Sequence, residues 1–135
     1  MEIKKRIFSD IKILPQLIAW VIEALNQQAV DGKILKAIEL IVEEAAVNII
    51  RYSLKNPKST FVITLKKDPS SITIKFVDEG PLFDPTKANI TVDPSLSMEE
   101  RKEGGLGIFF IKQYADDMHY QRQGNKNVFT IIKNI

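Results

Sequence analysis

Between Leu54 and Thr60 the hydrophobic period of this chain changes from about 3.6 residues to 2, so a helical part must give way there to a sheet. Upstream, Leu14, Leu17, Ile18, Val21, Ile22 and Leu25 recur at three- and four-residue spacing, which predicts a helix over about 9–30 with one buried stripe. Ser9 or Asp10 can cap it, and Pro15 demands a late start or a kink. Asp31-Gly32 breaks the pattern, and a second helix is expected over about 32–54, stopped by Lys55-Asn56-Pro57. Downstream, 60–66 and 72–77 alternate β-branched and aromatic residues with polar ones and read as strands joined by a turn over 67–71. A strand over 2–8, a helix over 107–116, and a hairpin of 119–122 and 128–134 across 123–127 complete the reading. The order β-α-α-β-β-loop-α-β-β predicts an α/β (α+β) two-layer sandwich, not the strict alternation of a doubly wound parallel sheet.

Composition removes several classes of function. The 135 residues, 44% of them hydrophobic, fit one domain over 1–135 with one core. Nineteen Lys and Arg against seventeen Asp and Glu leave a net charge of +2, which gives no support to nucleic-acid binding. There is no cysteine and His119 is the single histidine, so thiol catalysis, disulfide scaffolds, cysteine metal sites and multi-histidine metal sites are excluded. No apolar run reaches the roughly 18–20 residues of a membrane span, and the N-terminus lacks a signal-peptide core, so the expectation is a cytoplasmic protein without membrane partners.

Three segments carry candidate chemistry. In the second helix, Ile38, Ile41, Val42, Ala45, Ile49 and Tyr52 share one apolar stripe, and Glu44 and Asn48 lie one turn apart on its flank, roughly 70–110° from its centre. A carboxylate and a carboxamide so placed can line a pocket: the amide oxygen suits Mg²⁺, and the carboxylate can serve as a base. Glu43 points toward solvent. Asp78-Glu79-Gly80 follows a strand directly, with Phe83-Asp84-Pro85 behind it; an Asp at a strand end can accept a hydrogen bond from an exocyclic amine. Glu103-Gly104-Gly105-Leu106-Gly107 opens an apolar helix, bringing backbone N–H groups to a positive helix terminus suited to phosphate. It is neither a P-loop nor a dinucleotide fingerprint. Residues 79–103, poor in large apolar side chains, read as a long functional loop.

Together, Glu-x-x-x-Asn on a helix, Asp-x-Gly after a strand and Gly-Gly-Leu-Gly opening a helix resemble the conserved boxes of the GHKL ATPases, the histidine kinase-like superfamily. D-E-G-P-L-F-D-P, E-G-G-L-G-I-F-F-I-K and the closing N-V-F-T-I-I-K resemble most the anti-sigma factor serine kinases of the RsbW/SpoIIAB type. The resemblance implies a Bergerat-type fold, a mixed and mostly antiparallel sheet packed on about three helices, with an ATP lid over about 79–105. It implies ATP and Mg²⁺ as ligands. Asn48 would ligate the metal, Glu44 would act as general base on a protein serine, and Asp78 would recognise the adenine amine beside Gly80. Gly104, Gly105, Leu106 and Gly107 would cradle phosphates, with Arg101 adding positive charge. The implied partners are a STAS-type anti-sigma antagonist carrying the serine, a sigma factor, and a second copy in a homodimer. The alternative is a nucleotide-binding module that sequesters a partner without significant kinase activity. Leu82 stands where the family often has a second glycine.

Overall fold

The computed structural model describes residues 1–87 and 106–135. Its elements are strand β1 (Glu2–Phe8), helix α1 (Leu14–Asn26), helix α2 (Gly32–Asn48), strands β2 (Thr60–Lys67) and β3 (Ser71–Asp78), helix α3 (Leu106–Tyr114) and the hairpin β4 (Asp117–Gln123) and β5 (Lys126–Asn134). The five strands form one sheet in the order β1-β2-β3-β5-β4, and all four neighbouring pairs are antiparallel.

Alternation puts one face of that sheet under the helices. Ile7, Phe61, Ile63, Leu65, Ile72, Ile74, Phe76, Phe129 and Ile131 are buried there against Leu17, Val21 and Leu25 of α1, Ile38, Ile41, Val42 and Ala45 of α2, and Ile108 and Ile111 of α3. Helix α2 touches both α1 and α3, so it is the middle element of the helical layer. The two-layer α+β sandwich is the architecture expected from the switch of period.

Local differences have local causes. Helix α1 starts late: Pro15 occupies its first turn, where a missing N–H costs no hydrogen bond, and a 3₁₀ turn over Ile11–Ile13 precedes it. Asp10 caps that 3₁₀ turn, accepting from the Lys12 N–H at 3.0 Å, while the Ser9 hydroxyl donates to the carbonyl of Leu54. The second helix does not run as α-helix to residue 54. It ends at Asn48 and continues as a π-helical segment over Ile49–Ser53, closed by a Leu54 N–H to Ile49 C=O bond of 2.7 Å. The final hairpin is tighter than the five-residue loop expected. Gln123 pairs with Lys126 across Gly124-Asn125, and Gly124 takes φ +59°, which glycine tolerates without a Cβ penalty. His119 is exposed and lies 3.0 Å from Asp117, a surface role. β1 is an edge strand carrying Lys4, Lys5 and Arg6, with Lys5 Nζ 5.8 Å from the Trp20 ring centroid.

Candidate functional site

The site is built on the middle helix and on the ends of β3 and β5. Glu44 and Asn48 are half-buried on the flank of α2, while Glu43 is exposed, as the helical wheel requires. The first turn of α3 faces them. A Cβ placed on Gly107 would lie 2.9 Å from Glu44 Oε2 and 3.3 Å from Asn48 Oδ1, so both oxygens converge on one point beside that helix start. A larger residue at 107 would push into the carboxylate. Burial raises the pKa of Glu44 above the usual carboxylate value, repulsion from Glu43 adds to the rise, and Arg51 opposes it.

The π-helical segment sets the second half of the site. By inserting an i+5 turn it re-aims the residues after Asn48, a local device often found at functional sites. Ser53 is thereby buried, and its hydroxyl donates to Asp78 Oδ1 at 2.6 Å. Tyr52 stacks on Phe83 with ring centroids 5.9 Å apart, so it packs as the sequence reading assigned it. Asn48 and Ser53 are five residues apart on one helical segment, which ties the Glu44–Asn48 pair to Asp78 over roughly 6–8 Å of axial rise.

Asp78 closes β3 with 5% of its surface exposed. Its Oδ1 accepts from Ser53 Oγ, from the Gly80 N–H at 2.9 Å and from Asn127 Nδ2 at 3.0 Å. All three bonds fall on one oxygen, which orients the carboxylate. Gly80 is required by this packing: a Cβ there would lie 2.2 Å from Ser53 Oγ, 2.9 Å from Asp78 Oδ1 and 3.0 Å from the Ser53 carbonyl. Behind it, Asp84 accepts from the N–H and hydroxyl of Thr86 and so starts a 3₁₀ turn over Pro85–Lys87.

Of the residues singled out from sequence, Glu44, Asn48 and Gly107 are brought together, and Asp78 with Gly80 forms the adjoining polar cluster. Leu106 begins α3. Arg101, Gly104 and Gly105 lie outside the described residues, as does most of the loop expected over 79–105. Sequence reasoning missed Ser53, Arg122 and Asn127, which hold Asp78 and Gly80. Parity finds two of them once the turn is placed at Gly124-Asn125: Asn127 then has the parity of Phe129 and Ile131, and Arg122 that of Met118 and Tyr120, so both face inward.

No group of three or more histidine or acidic side chains able to hold a metal occurs among the described residues. The Asn48 amide oxygen, close to the first turn of α3, suits Mg²⁺ nonetheless, since that ion keeps waters and reaches protein sites through one or two ligands plus phosphate oxygens. A cavity of about 360 Å³ borders Asp78 and Glu79 and is lined also by Arg6, Leu54, Thr60, Val77 and Lys126.

An antiparallel five-stranded sheet under three helices, with a Glu/Asn pair facing Gly107 in the first turn of α3 and an Asp–Gly pair at a strand end, is the arrangement of a histidine kinase-like (GHKL) ATPase domain. Residues 9–133 match the histidine kinase-like ATPase domain family, and the chain belongs to it. It is similar to the serine/threonine-protein kinase BtrW of Bordetella bronchiseptica, 25% identical over 95 residues that cover 68% of this chain and 65% of that protein. The chain thus spans slightly less than two thirds of that relative's length. Among solved structures it is similar to the SiaB–SiaC complex of Pseudomonas aeruginosa, with TM-score 0.64, 11% identity, and 98% of this chain and 89% of that one covered. It is also similar to the histidine kinase AdeS of Acinetobacter baumannii, with TM-score 0.50, 20% identity, and coverage of 98% and 67%. The family match and the likeness to BtrW agree with the resemblance to RsbW-type kinases, and the two solved structures agree in fold. No helix among the described residues is long and apolar enough to cross a membrane.

Proposed function

We propose that this chain is an ATP-dependent protein serine kinase and anti-sigma factor of a partner-switching system. It phosphorylates a serine on a STAS-type antagonist, holds a sigma factor in the alternative state, and works as a cytoplasmic homodimer. The observation that carries the kinase reading is the convergence of Glu44 and Asn48 beside Gly107, joined through Ser53 to Asp78.

In this reading Asp78 accepts a hydrogen bond from the adenine amine, and the carboxylate discriminates against a base carrying a carbonyl there. The N–H groups of the first turn of α3 face phosphate, favoured by the helix dipole. Gly104, Gly105 and Arg101 add to that cradle. Asn48 holds Mg²⁺, which neutralises phosphate charge when bound. Glu44 accepts the serine proton as the serine oxygen bonds to the γ-phosphorus; the bond from that phosphorus to the bridging oxygen breaks and ADP leaves. Its raised pKa makes it a better proton acceptor than an exposed glutamate. Positioning and charge neutralisation suffice for such a transfer, so the lack of cysteine and the surface place of His119 are no obstacle.

The relative whose name reads serine/threonine-protein kinase supports this choice over a free-standing ATPase. The test is incubation with Mg²⁺, γ-labelled ATP and the cognate STAS protein. Label on a serine of that protein is the expected result. Nucleotide-dependent capture of the partner with no phosphoserine formed would establish the sequestering module instead.

A further inference from the structure

Asp78 on β3, Asn127 on β5 and Arg122 on β4 form one row across three neighbouring strands, since Asp78 pairs with Asn127 and Asn127 with Arg122. All three share the helical face, and the row closes the end of the sheet beyond the aromatic row Phe76–Phe129–Tyr120. Asn127 is the middle member and is 3% exposed.

The orientation of its amide follows from its neighbours. The carbonyl oxygen Oδ1 accepts from Arg122 Nη1 at 3.1 Å, from the Phe83 N–H at 3.2 Å and from the Tyr120 hydroxyl. Arg122 and the Phe83 N–H are donors only, so a flipped amide would set its NH₂ against two groups that cannot accept. Nδ2 must therefore face the other way, where it donates to Asp78 Oδ1 at 3.0 Å and to the Pro81 carbonyl at 2.8 Å. Arg122 adds a second fixing bond, from Nη1 to the Gly80 carbonyl at 2.8 Å, and its Nε reaches the Gly124 carbonyl at 3.2 Å. One planar guanidinium thus holds the hairpin turn, the Asn127 amide and the backbone beside Asp78 in one arrangement. The chain from cation to amide to carboxylate is polarised in one direction, so the positive end strengthens the bond Nδ2 gives to Asp78.

We propose that Arg122 is a positioning residue for base recognition. It fixes the amide of Asn127, and through it the oxygen that Asp78 turns to the purine; this rests on the adenine-binding reading of Asp78. Arg122 itself touches neither base nor phosphate in this account. Without it the amide can reorient, Asp78 can rotate, and the preference for an amino over a carbonyl group at the purine 6-position falls.

The experiment compares binding of ATP and inosine triphosphate by the full chain, as wild type, Arg122→Met, Arg122→Lys and Tyr120→Phe, with thermal melting of each. Wild type is expected to prefer ATP. Arg122→Met should lose about tenfold in ATP affinity with the inosine nucleotide changed by less than about threefold, the size of one lost charge-assisted hydrogen bond. Arg122→Lys, which keeps the charge but not the fork, should restore part of the ratio. Tyr120→Phe removes one of three donors to the same oxygen and should lower the ratio by about two- to threefold; it carries the test if Arg122→Met does not fold. A merely structural role lowers melting temperature and both affinities in equal proportion. Equal losses, or an unchanged ratio in Arg122→Met and Tyr120→Phe, overturn the proposal while leaving ATP binding standing. A wild-type protein that binds ATP no better than inosine triphosphate overturns the adenine reading as well.

Discussion

Substituting Gly80 by Ala tests the polar cluster by sterics alone. Gly80 has no positive φ, so alanine is not strained by its backbone angles; the whole effect comes from where a Cβ would sit. That atom would be 2.2 Å from Ser53 Oγ and 2.9 Å from Asp78 Oδ1, with the Ser53 carbonyl at 3.0 Å. Oxygen and carbon cannot approach to 2.2 Å, and Ser53 is too short to swing away while keeping its bond to Asp78. Overpacking of this kind costs about 1–3 kcal/mol of stability. Losing the Ser53 hydroxyl from a carboxylate costs about 1.5–3 kcal/mol, and an Asp78 displaced from its place would forfeit a similar amount in adenine binding. Gly80→Ala should therefore weaken ATP binding by roughly 10–100-fold. Ser53→Ala removes the 2.2 Å clash together with one donor to Asp78. Added to Gly80→Ala it should recover part of the loss, so the two changes should couple by about 1 kcal/mol or more in a double-mutant cycle. Urea titration and calorimetric ATP titration on the four proteins give both numbers. Strictly additive effects, or an unperturbed Gly80→Ala, would refute the reasoning from close approach.

Gly107→Ala would place a Cβ 2.9 Å from Glu44 Oε2, the movable end of a side chain; phosphoryl transfer should fall by about tenfold or more while ATP affinity changes less, read by single-turnover kinetics against calorimetry. The raised pKa of Glu44 means that the folded protein holds more proton there than the unfolded chain. Stability of the nucleotide-free protein should thus be greater at acid pH and fall as pH rises from the ordinary glutamate value through the raised one; urea titrations across that window should show the slope, and Glu44→Gln should remove its contribution. Arg51→Gln, which deletes the opposing charge, should move the window to higher pH, and Glu43→Gln should move it lower. Gly124→Ala, at φ +59° with nothing crowding the missing Cβ, should cost about 1 kcal/mol of stability, measured by denaturant titration, and leave ATP binding unchanged.

The change of period after Leu54 was enough to place the helical and sheet layers, because burial of one face demands the pattern whatever the details of packing. Glu44 and Asn48 were legible for the same reason: i and i+4 polar residues beside an apolar stripe must border whatever the helix packs on. The π-helical turn over Ile49–Ser53 was not, since its side chains continue a plausible α-helical pattern and the inserted residue shows only in the backbone bonds. Ser53 was hidden with it. Asn127 was hidden by composition: Gln123-Gly124-Asn125-Lys126-Asn127 looks like loop throughout, yet the turn takes only two residues and leaves Asn127 on an inward strand position. Arg122 lay inside the strand assignment, but its contacts depend on the register of β4 with β5, which that misplaced loop obscured. Gly80 was legible as a candidate site glycine; that Ser53 leaves no room for a Cβ there depends on the π-helical turn and so was not.

The central claim is that Glu44 takes the proton of the attacking serine in a site where ATP binding depends on other residues. Measuring ATP affinity and the single-turnover rate of phosphoserine formation on the cognate STAS protein, for wild type and Glu44→Gln, tests it most directly. The account expects the rate to fall by about 10²–10⁴-fold with ATP affinity nearly unchanged. A rate that survives the substitution, or a rate lost only in proportion to ATP affinity, would contradict it.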